Sequence, residues 1–378
     1  VFTDDAGIGR LAISVPHTNV YRAVPHLPMC LGDNYDLAIA YVRTLVLAEL
    51  ARADGIGSRF EKPVQWFYTP MPAPAMLGAF DEIGVVYDCM DELSKFRFAH
   101  PDLVRRERLL LGAADVVFTG GRKLWESKSR LHDNVHFFGC GVDSAHFATA
   151  RDPETEVPDD IAVLRTPGTR IAGYYGVVDE RLDYDLIAQL AASDPTLQVV
   201  MVGPVVKVDP ASLPQAPNLH WFGGRSYDQL PGYVSAFDVC LMPFALNEAT
   251  EYINPTKTLE YMAAGRPIVS TAVADVVRNF TPVVRVARNA REFVSGVLRD
   301  AAHPDAARIA DGIEMARGAS WEKVVSSMST HVLDAIDART RAASARTRRV
   351  GERSGERVFE RAKERAADVA PSAARASA

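Results

Sequence analysis

Two spacings of apolar residues alternate along this chain. Residues 64–68, 84–87, 115–119 and 135–138 are short continuous apolar runs, the pattern of buried strands. Between them, residues 73–80, 101–111 and 123–131 place apolar side chains at helical spacing. Earlier, residues 11–15 and 19–24 read as two short strands joined by a tight turn, and residues 36–53 as a helix. Residues 150–169 break the rhythm with Pro, Asp and Glu and read as a connection between domains. The rhythm then restarts. Strands are predicted at 170–175, 197–202, 219–222, 239–244, 267–270 and 283–286, and helices at 183–192, 227–237, 254–265, 291–299 and 306–317. Strand and helix in alternation specify an α/β protein with parallel sheets covered on both faces. The predicted units are a first domain over 1–149, a linker over 150–169, a second domain over 170–320, a helix over 321–337 crossing back over the first domain, and a charged tail over 338–378.

Composition narrows the picture. The apolar fraction is 48% and the charged fraction 24%, as in soluble globular proteins, and 378 residues suffice for two cores. No apolar run reaches the roughly 18 residues that a membrane span needs. A net charge of −6 argues against nucleic acid as partner. Cys30, Cys89, Cys140 and Cys240 are scattered without metal-ligand spacing, which points to free thiols, a reducing cytoplasmic setting and no metal site. The chain shows no secretory signal and opens at Val1 in a polar stretch (Thr3 to Gly7) where a strand–helix unit is expected, so an N-terminal piece is expected to be missing. In the tail, Arg353, Arg357 and Arg361 each precede a Glu by three residues, with no apolar stripe. It reads either as a solvated or disordered tail or as a basic arm touching an anionic membrane surface.

The most informative stretch runs from Asn254 to Ser270. Asn254 suits an N-cap and Pro255 the first helical position. Leu259, Met262 and Ala263 supply a buried face, and Gly265 a stop. The open amides of such a first turn, beside Thr256 and Lys257, suit a phosphate, and Glu260 one turn on suits a ribose diol. Other predicted strand ends carry glycines or cations on the same sheet edge: Gly176 with Arg181, Gly203, and Gly224 with Arg225 and Tyr227. Ligands of open α/β sheets bind at that edge. Arg181 either reaches a diphosphate or pairs with Glu180 or Asp183; Tyr227 either stacks on a base or sits in a plain turn. Neither a Walker loop nor a dinucleotide glycine fingerprint is present.

These residues resemble a family. Gly173–Gly176, Glu180-Arg181, Val202-Gly203-Pro204, Asn218–Gly223, Asp238–Phe244 and Pro255–Gly265 resemble the second domain of GT-B glycosyltransferases, above all glycosyltransferase family four (group 1) and its bacterial polysaccharide-biosynthesis relatives. In the first half, Val85–Glu92, Ala113–Thr119 and Gly141–Phe147 are similar to that family's acceptor domain. The resemblance implies two facing Rossmann-like domains and a nucleoside-diphosphate-sugar donor, UDP- or GDP-linked, with no other cofactor. Thr256, Lys257 and Arg181 would hold the diphosphate, Glu260 the ribose, and the Gly223–Tyr227 loop the base. The acceptor would be a glycan or lipid-linked glycan, met in the cytoplasm at the inner face of the membrane.

Two features depart from the family. Many members carry two glutamates separated by seven residues; here Glu260 is the second, and Tyr252 stands where the first belongs. Glu248 or Glu251 could substitute. The family's opening strand–helix unit is also not found. In the first domain, Asp88 and Asp91 sit at a predicted strand end: one is a general base, or Asp91 caps the following segment. His17 and His26 read as surface residues. A nucleotide-sugar epimerase and a non-catalytic nucleotide-sugar-binding protein are the rival readings.

Overall fold

A computed structural model describes residues 1–3, 8–248 and 250–368, with side chains through residue 345. Two parallel sheets organise the chain. The first has four strands in chain order, Val64–Phe67, Gly84–Cys89, Val116–Thr119 and Val135–Phe137. Alternation along its strands sorts the residues to two faces. Val86, Val116 and Phe118 pack under Met328, Val332 and Ala335 of the long helix Trp321–Asp368. Val85, Tyr87, Cys89 and Val117 pack with Leu110, Leu111 and Leu124 of the helices Leu103–Ala113 and Arg122–Lys128.

The second sheet has six strands, lying side by side as Leu219–Gly223, Leu197–Val202, Arg170–Tyr175, Val239–Met242, Ile268–Thr271 and Arg285–Ala287. Numbered within the sheet, the order is third, second, first, fourth, fifth, sixth. The direction of travel therefore reverses between Arg170–Tyr175 and Val239–Met242, and such a reversal opens a crevice at the strands' carboxyl ends. Ile171, Val199, Val200, Met201, Cys240, Leu241 and Val269 are among the buried residues that fix this core. Its polar loose ends are tied: the Asn218 amide donates to the carbonyls of Ala191, Asp194 and Leu197, and Asp238 accepts from the Ile171 amide at 2.8 Å.

Several elements differ from their predicted extents. The helix expected over 73–80 covers only Ala73–Met76, because Leu77 is extended and Gly78 takes φ of 73°. The one expected over 227–237 begins as a 3-10 turn, Tyr227–Gln229, and becomes α-helical over Leu230–Ala236. Within the predicted linker, Asp159–Ala162 is a short helix whose Ile161 is wholly buried against the second sheet. The early hairpin pairs Arg10–His17 with Val20–Pro28 through a turn at Asn19, φ 62°, and Phe2–Thr3 adds a short parallel strand. Residues 4–7 of the polar opening, the side chains of the tail's Arg–Glu pairs, and residues 369–378 lie outside what is described. No helix of the described residues is long and apolar enough to cross a membrane.

One buried ionic group holds the first domain. Lys128, 2% exposed, donates at 2.8 Å to both Glu92 and Glu107, and Tyr87 donates to Glu107 at 2.8 Å. Removing only the cation would strand two carboxylates in a low-dielectric setting. Lys128→Met should therefore lower the unfolding free energy by about 3–5 kcal/mol, read as a fall in the urea midpoint. An unchanged midpoint would show that the charges are not needed.

Candidate functional site

The crevice at the strand reversal is built from four ends. Arg170–Tyr175 delivers Tyr174 and Tyr175 and turns at Gly176; Leu197–Val202 turns at Gly203; Val239–Met242 leads to Phe244; the helix Lys257–Ala263 enters from the side. The two glycines let backbones touch. A Cβ on Gly203 would lie 1.8 Å from the Gly176 carbonyl oxygen, and one on Gly176 would meet Tyr174 Oη at 2.9 Å and Lys257 Cε at 3.0 Å. Glycine at 176 is thus what lets Lys257 lie against the strand end.

Lys257 is the centre of the site. Its ammonium sits 5.3 Å from the ring centres of both Tyr174 and Phe244. It makes no ion pair among the described residues. Burial first, then the like charge of Arg181, pull its pKa down from 10.5 to about 8. Arg181 is held by Asp179 at 2.8–3.1 Å, not by Glu180 or Asp183, and its guanidinium lies 5.9 Å from the Phe96 ring of the first domain. Lys257, Arg181, Thr256, Tyr174 and Cys140 line a cavity of about 150 Å³ that also reaches Asp91. Asp91 is the only carboxylate among its lining residues; burial raises its pKa and Arg181 opposes the rise.

Glu260, one turn along the helix from Lys257, accepts a hydrogen bond from Tyr175 Oη at 2.5 Å. Burial raises its carboxyl pKa; the Tyr175 bond, Lys257 and His146 hold it down. Beyond it, Tyr227 is 48% exposed and stacks on His146 with ring centres 4.5 Å apart and planes 14° apart. An aromatic pair beside a carboxylate and two cations is a set of groups that suits base, pentose and phosphate in line.

Several expectations are corrected. Asn254 is not the N-cap. The helix starts at Lys257 behind Thr256, which makes no side-chain cap, while the Asn254 amide reaches across to donate to the Gly120 carbonyl at 3.0 Å. The Pro255 and Thr256 carbonyls are taken by the amides of Thr258 and Leu259, so the turn is tighter than an α-helix and only seven helical residues follow. Few free amides are thus left at this turn, and the positive charge of the crevice comes from Lys257 and Arg181. Asp91 does not cap the next segment, whose cap residue is Glu92, without a side-chain bond. Asp88 is 4% exposed, accepts from Trp66 Nε1 at 3.2 Å, and is raised in pKa by burial; it does not line the cavity. Glu248 pairs with Lys95 at 3.0 Å and Glu251 with Lys123 at 3.3 Å, both lysines belonging to the first domain. Neither glutamate lines the cavity, and Tyr252 packs against the first domain's core. Arg225 is engaged by Asp160 at 2.6 Å and by Tyr233. Gly224 lies beside Pro204, next to Gly203 at that edge.

The halves meet beside this crevice. Asp275 accepts from the backbone amides of Arg122, 2.7 Å, and Lys123, 3.4 Å, and so caps the helix Arg122–Lys128 from the other domain. A Cβ on Gly121 would stand 2.6 Å from the Asp275 carboxylate. Arg122 Nε donates to Asn279 and Arg278 pairs with Glu126 at 2.7 Å. Sequence reasoning missed Tyr174, Tyr175, Cys140 and Asp275. The first two were visible only as strand residues, and the last acts through a contact between distant parts of the chain.

Residues 182–302 match the family described as glycosyl transferases group 1. Over 272 residues the chain is 25% identical to a putative teichuronic acid biosynthesis glycosyltransferase, TuaH, of Bacillus subtilis (strain 168). That match covers 67% of this chain and 66% of the relative's length. Among solved structures, sucrose-phosphate synthase from Thermosynechococcus elongatus superposes with a TM-score of 0.64 at 16% identity, over 89% of this chain and 88% of that one. HepE of Anabaena, in complex with UDP and glucose, gives 0.59 at 14% identity, over 78% and 82%. The chain has the GT-B fold, and within its second domain residues 182–302 match the group 1 glycosyl transferases.

The Lys257 ammonium supplies a test. Its folded pKa lies below its ordinary value, so between pH 8 and 10.5 the folded state binds fewer protons than the unfolded state. Lys257 should then make stability rise with pH across that window, and Lys257→Met should remove that part of the rise. NMR of ¹³C-labelled lysine should show one midpoint near 8, missing in the variant; a normal midpoint for every lysine would refute the burial of this charge.

Proposed function

We propose that this chain, with its group 1 glycosyltransferase domain in a GT-B fold, moves a sugar from a nucleoside-diphosphate sugar to a hydroxyl acceptor in polysaccharide or glycoconjugate biosynthesis. One observation carries the reading: two cations, Lys257 and Arg181, converge on a cavity at the sheet's switch point with a first-domain carboxylate, Asp91, on its other wall. When the glycosidic bond breaks, negative charge grows on the departing diphosphate. A buried ammonium with no ion pair among the described residues gains most from that charge, and its position needs no rearrangement at the moment of reaction. Glu260 takes the ribose hydroxyls through the oxygen that Tyr175 leaves open. Tyr227 and His146, with the Gly223–Tyr227 loop, take the base.

Asp91 then serves at the transferred sugar, as base toward the acceptor hydroxyl or as partner to the donor sugar's own hydroxyls. Its pKa, raised by burial, suits proton acceptance. The acceptor is read as a glycan, free or lipid-linked, approached from the first domain at the cytoplasmic membrane surface. The Bacillus subtilis relative's putative role in teichuronic acid biosynthesis supports a polysaccharide setting, and the UDP and glucose bound to HepE support a UDP-sugar ahead of a GDP-sugar.

Calorimetry with UDP and GDP tests the assignment. Glu260→Ala and Lys257→Ala should each weaken the tighter nucleotide by about 1–3 kcal/mol, the range for hydrogen bonds to charged groups. Unchanged affinity in both folded variants would remove the donor site from this crevice. Radiolabelled donor incubated with and without glycan acceptors separates transfer from epimerisation of the donor alone.

A further inference from the structure

We infer that Tyr175 is the positioning residue that makes Glu260 a reader of ribose: its phenol occupies one carboxylate oxygen and turns the other toward the nucleotide. The inference rests on the donor site proposed above. Tyr175 is 5% exposed and is gripped at both ends by consecutive residues of one helix. Its hydroxyl donates to Glu260 Oε2 at 2.5 Å, and its backbone amide donates to the Tyr261 hydroxyl at 3.0 Å. Its ring lies edge-on to Tyr261, centres 4.9 Å apart at 79°, and parallel to Phe147, centres 6.1 Å apart at 3°. Two hydrogen bonds and two ring contacts thus fix where the phenol points.

A glutamate has three side-chain torsions, and an ionised carboxylate accepts only. Held at Oε2 by a rigid phenol, Glu260 keeps a single orientation, and Oε1, which makes no hydrogen bond among the described residues, is left for a hydroxyl donor. Tyr175 also keeps the carboxylate charged. Burial pushes the Glu260 pKa up, and the Tyr175 bond is the largest influence opposing it. A neutral carboxyl would accept less strongly and would offer a competing donor. Tyr175 itself, buried and next to Glu260, stays protonated because its pKa is raised far above 10. The phenol is therefore a permanent donor. Touching the carboxylate and not the ligand, it should set discrimination between ribose and sugars that lack the hydroxyls, with little influence on phosphate or base.

The test uses the full chain and the tighter of UDP and GDP, together with its 2′,3′-dideoxy analogue. Wild type should prefer the ribonucleotide. Tyr175→Phe, which keeps both ring contacts, should weaken the ribonucleotide by about fivefold to thirtyfold, a hydrogen bond's worth, and leave the dideoxy analogue within about twofold. Glu260→Gln should abolish the preference, and Tyr175→Phe placed on Glu260→Gln should add nothing further. A merely structural tyrosine would weaken both nucleotides alike, and that outcome overturns the inference, as does a Tyr175→Phe protein with unchanged preference while Glu260→Gln loses it. If Glu260→Gln itself leaves ribonucleotide affinity unchanged, the donor-site reading fails instead.

Discussion

An ammonium set beside two aromatic rings, with no carboxylate paired to it among the described residues, is poorly compensated for its lost hydration, and the strand ends around it are built to admit it. Lys257 can lie there because Gly176 has no side chain and because Gly203 lets the neighbouring turn close over the same spot. Its charge is only weakly favoured, as its pKa near 8 records. Any anion that enters offsets the desolvation that group has already undergone. Arg181 adds a second cation but is neutralised by Asp179, so the two differ in kind: one is a paired charge and the other has no ion pair among the described residues.

The crevice draws its parts from both halves. Asp91 comes from the loop after Gly84–Cys89, and that loop is pinned through Glu92 to the buried Lys128. The ring of Phe96, on the same loop, lies under the cationic ends of both Arg181 and Lys207. The segment leading into Lys257 is in turn held to the first domain by Asn254 on Gly120. The two cations and the opposing carboxylate are thus set by one connected series of contacts, and the packing of the first domain bears directly on the cavity.

Much of this was legible in the chain. The strand–helix rhythm pointed to parallel sheets, because strands buried on both faces must be continuously apolar. Lys257 and Glu260 stood out through their place before a Gly-terminated apolar run. What was not legible depended on the third dimension. Asn254 has the chemistry of a cap, yet its partner is a carbonyl 134 residues earlier in the chain. Glu248 and Glu251 look like substitutes for the acid replaced by Tyr252, but lysines of the other domain hold them. Tyr175 reads as one more apolar strand residue, since nothing local reveals that its hydroxyl ends on Glu260. Pattern reports which side chains turn inward; it does not report which distant side chain waits there.

At Asp275, one half of the molecule completes the secondary structure of the other. The first amides of the Arg122–Lys128 helix bond to a carboxylate across the boundary, and that carboxylate is 1% exposed. If the halves part, the amides find water and the carboxylate regains its hydration, so the two sides of the exchange nearly balance. These two bonds alone therefore add little to the cost of separating the halves, and the ion pairs and packing beside them carry more of it. Gly121 is the gap that lets the two sides meet, and any side chain added there would act as a wedge.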